Sequence, residues 1–429
     1  LPDDRFEPWA EAARDRLRAR HLELLRAGGL WDEVVERDPT AEDAHCALMR
    51  RALDVGDRAA VVRRFGALRE ILRADLGVGP GAGAIALYEQ ALRLDRLEPP
   101  TPAQHTASLL ARALVGLNAG DLDEADALAE RARRVALDAG LGRELGEASA
   151  VVGMVAQQRG SWRERFLREF TFVLGRDRRV ASHVLDGQLC LAEYCVGGPG
   201  PLDELAGFAR GLLDAADRAA SGPGTALAHL LVGETALLGG APDEARPHLT
   251  CAMDLYRSLG AAAGQVMALQ RLAELALSTG GSAAARRLAR HGLGLAATHW
   301  LRPHLDVRMH EILVRATPGP PASLRVVRVA DEALAGMVTC APCSIGFTLA
   351  SAAVYAGAGR IEPARRSVDH AERLAGMWPG GPWHARLWET RGALRRAEGD
   401  EAQARAMLVE AARRYDEAGR PADAARCRA

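Results

Sequence analysis

No lysine occurs in the 429 residues, so all 55 basic side chains are arginines. That absence excludes a Walker-type phosphate loop, a Schiff-base lysine and a kinase lysine, and with them many nucleotide-driven and pyridoxal enzymes. Asparagine occurs once, as Asn118. Lysine and asparagine both use AT-rich codons, so the bias fits a GC-rich gene. Aromatic residues make up 4% of the chain, and a core drawn from its 48% hydrophobic residues must consist mainly of Ala, Leu and Val. The cysteines are few and odd in number (Cys46, Cys190, Cys195, Cys251, Cys340, Cys343 and Cys427). That argues against a secreted disulfide framework and for a reducing cytoplasm. There is no apolar run of about 18 residues and no signal peptide, so no membrane partner is expected. The net charge of −1 lacks the basic surplus of a nucleic-acid reader. The chain opens at Leu1, without Met and inside a patterned helix entry, and reads as a piece of a longer protein.

What is present is almost uniformly helical in pattern. Ala/Leu/Arg/Glu-rich stretches alternate with Gly/Pro/Asp breaks, and no period-2 run stands out. Glycines recur in phase at Gly120, Gly160, Gly200, Gly240, Gly280, Gly319, Gly359 and Gly399, a spacing of forty with one slip. Five residues after them stand Ala125, Ala245, Ala285, Ala364 and Ala404, with Leu205 and Leu324 as weaker copies and Arg165 out of pattern. Seven residues before them stand Ala113, Gly153, Gly233, Ala273, Ala352 and Gly392, with Glu193 and Ile312 as exceptions. In an antiparallel helical hairpin, small residues on facing helices let the backbones approach, and a turn glycine supplies positive φ between them.

Two small columns twelve residues apart around a glycine turn resemble the tetratricopeptide repeat, over residues 98–429 and most specifically in Asp243 to Ala252. The period of forty exceeds that family's usual length and implies longer helices. The resemblance implies a superhelix whose first helices line a concave binding surface. Carried over position by position, its groove residues are Glu147, Met154, Leu230, Glu234, Met267, Gln270, Glu274, Arg386, Glu389 and Arg396. Glu234 and Glu274 stand one repeat apart, a like-charge pairing that is costly unless solvated or offset by a cation. Two readings stay open there: an ordinary hydrated groove, or a site for a cationic ligand or an Arg-bearing partner.

Residues 1–97 fit the forty-residue phase less well and resemble the bacterial transcriptional activator domain of antibiotic-regulatory-protein-type transcription regulators. The residues that carry this are Trp9, Arg14, Leu17, Leu22 and Leu25; Asp38-Pro39 before Ala44, His45, Leu48, Met49 and Leu53; Gly56-Asp57 before Phe65, Leu68, Arg69 and Leu72; then Leu76-Gly77-Val78 and Leu87-Tyr88. The stretch between Leu25 and Asp38 is shorter than in that family, and Gly79-Pro80-Gly81-Ala82-Gly83 replaces a Glu-Pro-Ser-Pro stretch as a looser linker. The resemblance implies a homodimerising, signal-relaying domain. DNA contact would come only through a winged-helix domain preceding Leu1.

One cluster carries chemistry beyond the repeat, Thr339-Cys340-Ala341-Pro342-Cys343-Ser344. Pro342 suits the first turn of a helix, whose dipole favours a thiolate. Cys340 and Cys343 have metal-ligand spacing but make only half a zinc site. Stepping forty residues either way from Cys343 lands beside His304 and His384, which could complete one. A metal ion, a redox thiol pair and incidental buried cysteines at a helix start all remain open.

The expected fold is all-α: an activator-type domain over 1–97 and helical-hairpin repeats over 98–429. The expected function is effector sensing and dimerisation in a cytoplasmic transcription regulator, with a small molecule, metal or protein as effector. The rival is a non-sensing interaction scaffold. No enzyme is expected.

Overall fold

A computed structural model describes residues 8–93, 100–198, 200–337 and 341–429. Among the described residues there are 22 α-helices and no strand, the all-α class that the sequence pattern predicts. None of these helices is long and apolar enough to cross a membrane. The chain divides into two compact units: Leu1–Ala139 with Gly336–Val338, and Gly140–Ala335 with Thr339–Ala429.

The first unit holds α1 (Pro8–Ala27), α2 (Trp31–Arg37), α3 (Glu42–Asp54), α4 (Arg58–Leu76), α5 (Ala82–Arg93), α6 (Pro102–Ala119) and α7 (Leu122–Asp138). The shortened stretch after Leu25 forms the seven-residue helix α2, whose Val34 is fully buried against Leu25, Ala41 and Ala44. Asp57 starts α4 by accepting from the Ala60 amide at 2.9 Å, and Gly77 ends it in the left-handed conformation, φ 70°. Phe65 and Tyr88 stack at 4.2 Å between ring centroids and anchor a core with Met49, Val61, Leu68 and Leu72. The glycine-rich stretch is tighter than a loose linker. The Gly81 amide donates to Glu42 at 2.6 Å, and Gly83 already lies in α5.

The second unit runs through α8 (Gly142–Gln158), α9 (Trp162–Leu174), α10 (Arg178–Val196), α11 (Leu202–Arg218), α12 (Gly222–Leu238), α13 (Pro242–Leu259), α14 (Ala262–Ser278), α15 (Ser282–Ala296), α16 (Arg302–Arg315), α17 (Pro320–Leu334), α18 (Ala341–Gly357), α19 (Ile361–Ala375), α20 (Pro382–Ala397), α21 (Glu401–Glu417) and α22 (Pro421–Arg428). The in-phase glycines fall in the turns of the hairpins. Gly120, Gly160, Gly240, Gly280, Gly319, Gly359 and Gly399 have positive φ, and Gly200 does not. The small columns face each other as the spacing requires. A Cβ at Gly392 would stand 3.2 Å from the carbonyl oxygen of its column partner Ala404. Ala113, Ala125, Ala245, Ala273, Ala285, Ala352, Ala364 and Ala404 are fully buried. A helical repeat array therefore follows the first five helices.

The exceptions are accommodated individually. Arg165 is buried in an ion pair with Glu169 at 2.9 Å, and Ile312 is fully buried in α16. The side chains of Glu193, Cys190 and Cys195 lie outside the described residues, as does Cys340. Where α8 meets α10, a Cβ at Gly187 would overlap the Gly146 carbonyl oxygen, so this crossing needs glycine.

Within the second unit the array closes on itself. The Arg420 guanidinium, between α21 and α22, donates to the Val196 carbonyl of α10 at 3.3 Å. Gly419, φ 70°, abuts Leu202, where an added Cβ would lie 3.0 Å from the leucine Cβ. Across the middle, α10 also touches α14 and α18. What the repeat pattern predicts as an open concave face is here the interior of a closed turn.

Candidate binding groove

Along α12, α14, α16, α18 and α20, residues three, four and seven apart share one stripe, and the five stripes face the inside of the turn. They enclose a groove of about 950 Å³, within the size range of small-molecule sites. Of the ten residues that the tetratricopeptide resemblance assigns to a groove, its wall contains five: Glu234, Gln270, Glu274, Arg386 and Glu389. Cys343 lies in the same wall, as do Arg271, Arg308, Glu311, Arg315, Arg420 and Arg426.

Glu234 and Glu274 do face each other, but the cation between them belongs to the chain. Arg271 pairs with Glu234 and, at 2.7 Å, with Glu274. The opening expected for a cationic ligand is thus filled by this guanidinium. From there charges alternate along the groove. Arg315 reaches Glu274 at 3.4 Å and Glu311 at 3.3 Å, and Arg386 reaches Glu311 at 2.8 Å. Gly346 makes room for that last carboxylate, which a Cβ there would overlap. Burial would raise the Glu274 pKa, but Arg271 and Arg315, with hydrogen bonds from Arg271 and Gln270, hold it at about 2. At the far end Glu389 accepts from Tyr415 Oη at 2.9 Å and from Arg426 Nε and Nη2, each at 2.9 Å. Burial, then the Glu389 charge, drives the Tyr415 hydroxyl well above its ordinary pKa, so it stays a donor.

The cysteine cluster comes together in part. Pro342 and Cys343 sit in the first turn of α18. Cys343 Sγ lies 3.6 Å from His304 Nδ1 and 3.5 Å from Arg308 Nη2, and Arg308 also donates to Gln270 at 3.3 Å. His304 is therefore brought to Cys343 by the one-repeat offset. His384 is turned elsewhere: its Nε2 faces the carbonyl oxygens of Ala375 at 3.1 Å and Trp378 at 3.0 Å. Two carbonyl acceptors keep a proton on that nitrogen and direct it away from Cys343. Among the described residues, no group of three or more His, Cys, Asp or Glu is placed to hold a metal ion.

The other five positions lie outside that wall: Leu230 and Met267 are buried. Arg396 pairs with Glu401 on the surface, Glu147 with Arg143, and Met154 is exposed. Arg308, Glu311 and Arg315 are missed because the forty-residue phase marks Ile312 on α16, whereas these three stand six and three before and one after Val314. Arg271 escapes because it stands beside a rule position, Gln270, and reaches the groove through its length.

Residues 12–92, which cover most of the first five helices, match the family described as bacterial transcriptional activator domain. This marks the chain as of transcription-regulator type. The matched family is one of activators and not of enzymes. No curated protein matches the chain significantly.

Proposed function

We propose that the chain is the effector-sensing and dimerising part of a cytoplasmic transcription regulator. Residues 1–97 form the activator-type domain, and 98–429 form a tetratricopeptide-like array that binds a small-molecule or protein effector. The observation that carries this reading is the closed, charge-lined groove of about 950 Å³ in a chain that also bears an activator-type domain. An effector bound across five hairpins touches helices whose relative tilt sets the curvature of the array. Differential affinity for two curvatures then shifts their populations. The activator domain passes the change to a winged-helix DNA reader adjoining it in a homodimer.

Thermal-shift measurements on the purified chain across a metabolite and metal library test this. The expected result is stabilisation by one ligand class, lost in Glu311→Gln and Arg386→Met. A chain that no ligand stabilises, and that instead retains one tight protein partner in pull-downs, is a non-sensing scaffold. Sedimentation of the same sample reports whether it dimerises.

A further inference from the structure

The arginines of the groove wall are not equivalent. Arg271, Arg315, Arg386 and Arg426 each have a carboxylate within 4 Å. Arg308 is held by Gln270 and Cys343 among others. Arg420 differs. It is 8% exposed, forms part of the groove wall, and makes no ion pair among the described residues. One terminal nitrogen donates to the Val196 carbonyl, and its Nε is buried without a hydrogen-bond partner. Asp423 and Glu234 act on it only at longer range, and Arg271 opposes them. A buried guanidinium short of partners is costly, and proteins rarely keep one without a counterion.

We infer that Arg420 is the anchor for the carboxylate of a small organic acid bound in the groove, an assignment that rests on the effector-binding reading above. The charge balance of the wall selects the anion. Six arginines (Arg271, Arg308, Arg315, Arg386, Arg420 and Arg426) face five carboxylates (Glu234, Glu274, Glu311, Glu389 and Asp423), which leaves one positive charge. A carboxylate carries one negative charge and neutralises it, whereas a phosphate monoester carries about −1.5 to −2 near neutral pH and overshoots. The planar guanidinium also matches a carboxylate through parallel N–H···O bonds. The body of the acid is apolar, because Leu237, Leu277, Leu349 and Trp383 share the wall. Burial, the largest influence on Arg420, pushes its pKa down, and a bound anion would reverse that push.

The experiment is calorimetry and thermal shift on the full chain with octanoate, phenylacetate and indole-3-acetate. Each acid is compared with its primary amide, and octyl phosphate with octanoate. At least one acid is expected to bind at least tenfold more tightly than its amide and than the phosphate. Arg420→Met, which keeps the side-chain stem, is expected to abolish that preference while circular dichroism is unchanged and the unliganded protein melts no lower than wild type. Equal binding of acid and amide overturns the anchor but leaves an effector groove standing. Tighter binding of octyl phosphate overturns the choice of a single negative charge. A clear drop in the melting temperature of unliganded Arg420→Met overturns it by making Arg420 a structural strut whose charge is already satisfied. Failure of every acid to bind also overturns the anchor, and the effector reading is then decided separately by the broader library.

Discussion

The two compact units are held together by different interiors. In the first, helices α1–α5 centre on large apolar side chains around the stacked Phe65 and Tyr88, with polar groups such as Asp57 and Glu42 at helix ends. Only α6–α7 close on small residues there, Ala113 and Ala125. In the second, hairpins close on Ala and Gly columns, and the space inside the turn is crossed by ion pairs such as Arg271–Glu234 and Arg386–Glu311. Large apolar side chains fill volume and leave nothing to bind. Small residues bring backbones together at the hairpin seam and displace the long side chains inward, where they form a groove with chemical character.

Four measurements sharpen or break that contrast. The largest effects are expected from one substitution in each interior, Phe65→Ala and Arg271→Met. The first empties the aromatic core and should cost about 3 to 5 kcal/mol. The second leaves Glu234 and Glu274 facing each other without their shared cation, with a similar cost of about 3 to 5 kcal/mol. Urea unfolding gives the size of each. Hydrogen exchange should place the first loss in residues 42–92 and the second in 222–334. If Arg271→Met proves harmless, the ionic interior is ornamental and the contrast fails.

A somewhat smaller effect is expected from Gly187→Ala, whose added Cβ meets the Gly146 carbonyl oxygen. Backbone overlap of this kind should cost about 1 to 3 kcal/mol and lower the melting temperature of the second unit. The acid response comes next. Glu274 is held at about 2, below its ordinary value of 4.5, so its charged form favours the folded state. That stabilisation is complete above pH 4.5 and is lost as pH falls towards 2. Denaturation midpoints between pH 5 and 2.5 should therefore fall less steeply in Glu274→Gln than in the wild type. Identical slopes would remove Glu274 from the ionic chain. The smallest effect is expected from Asp57→Ala, which loses one helix cap in the first unit at about 1 kcal/mol, read as a shift in the urea midpoint.

Much of this architecture is legible along the chain because its causes are local. Glycine at positive φ and a small residue at a fixed distance are properties of single hairpins, so the forty-residue phase places every second turn from α6 onward. Glu234, Gln270, Glu274, Arg386 and Glu389 follow because register on one helix carries to the next. The groove is less legible on α16, where the phase marks Ile312 although Arg308, Glu311 and Arg315 are in register with Val314. The bridging role of Arg271 is invisible too, since a long flexible side chain chooses its partner only once neighbouring helices are in place. His304 and His384 show the same limit. Their offsets from Cys343 are nearly symmetric, yet one meets the sulfur and the other faces two backbone carbonyls.

The amino-acid sequence by itself determines that the protein is helical, that its hairpins repeat and where they turn. It also determines that every positive charge is a planar guanidinium able to pair with carboxylates. Tertiary structure alone decides that the array bends until α22 reaches α10, which turns a concave face into an enclosed groove. It alone decides which arginines find carboxylates there and that Arg420 does not. The physical reason is that small rotations between successive hairpins add up over the array. Closure and charge pairing are properties of that accumulated geometry and not of any one repeat.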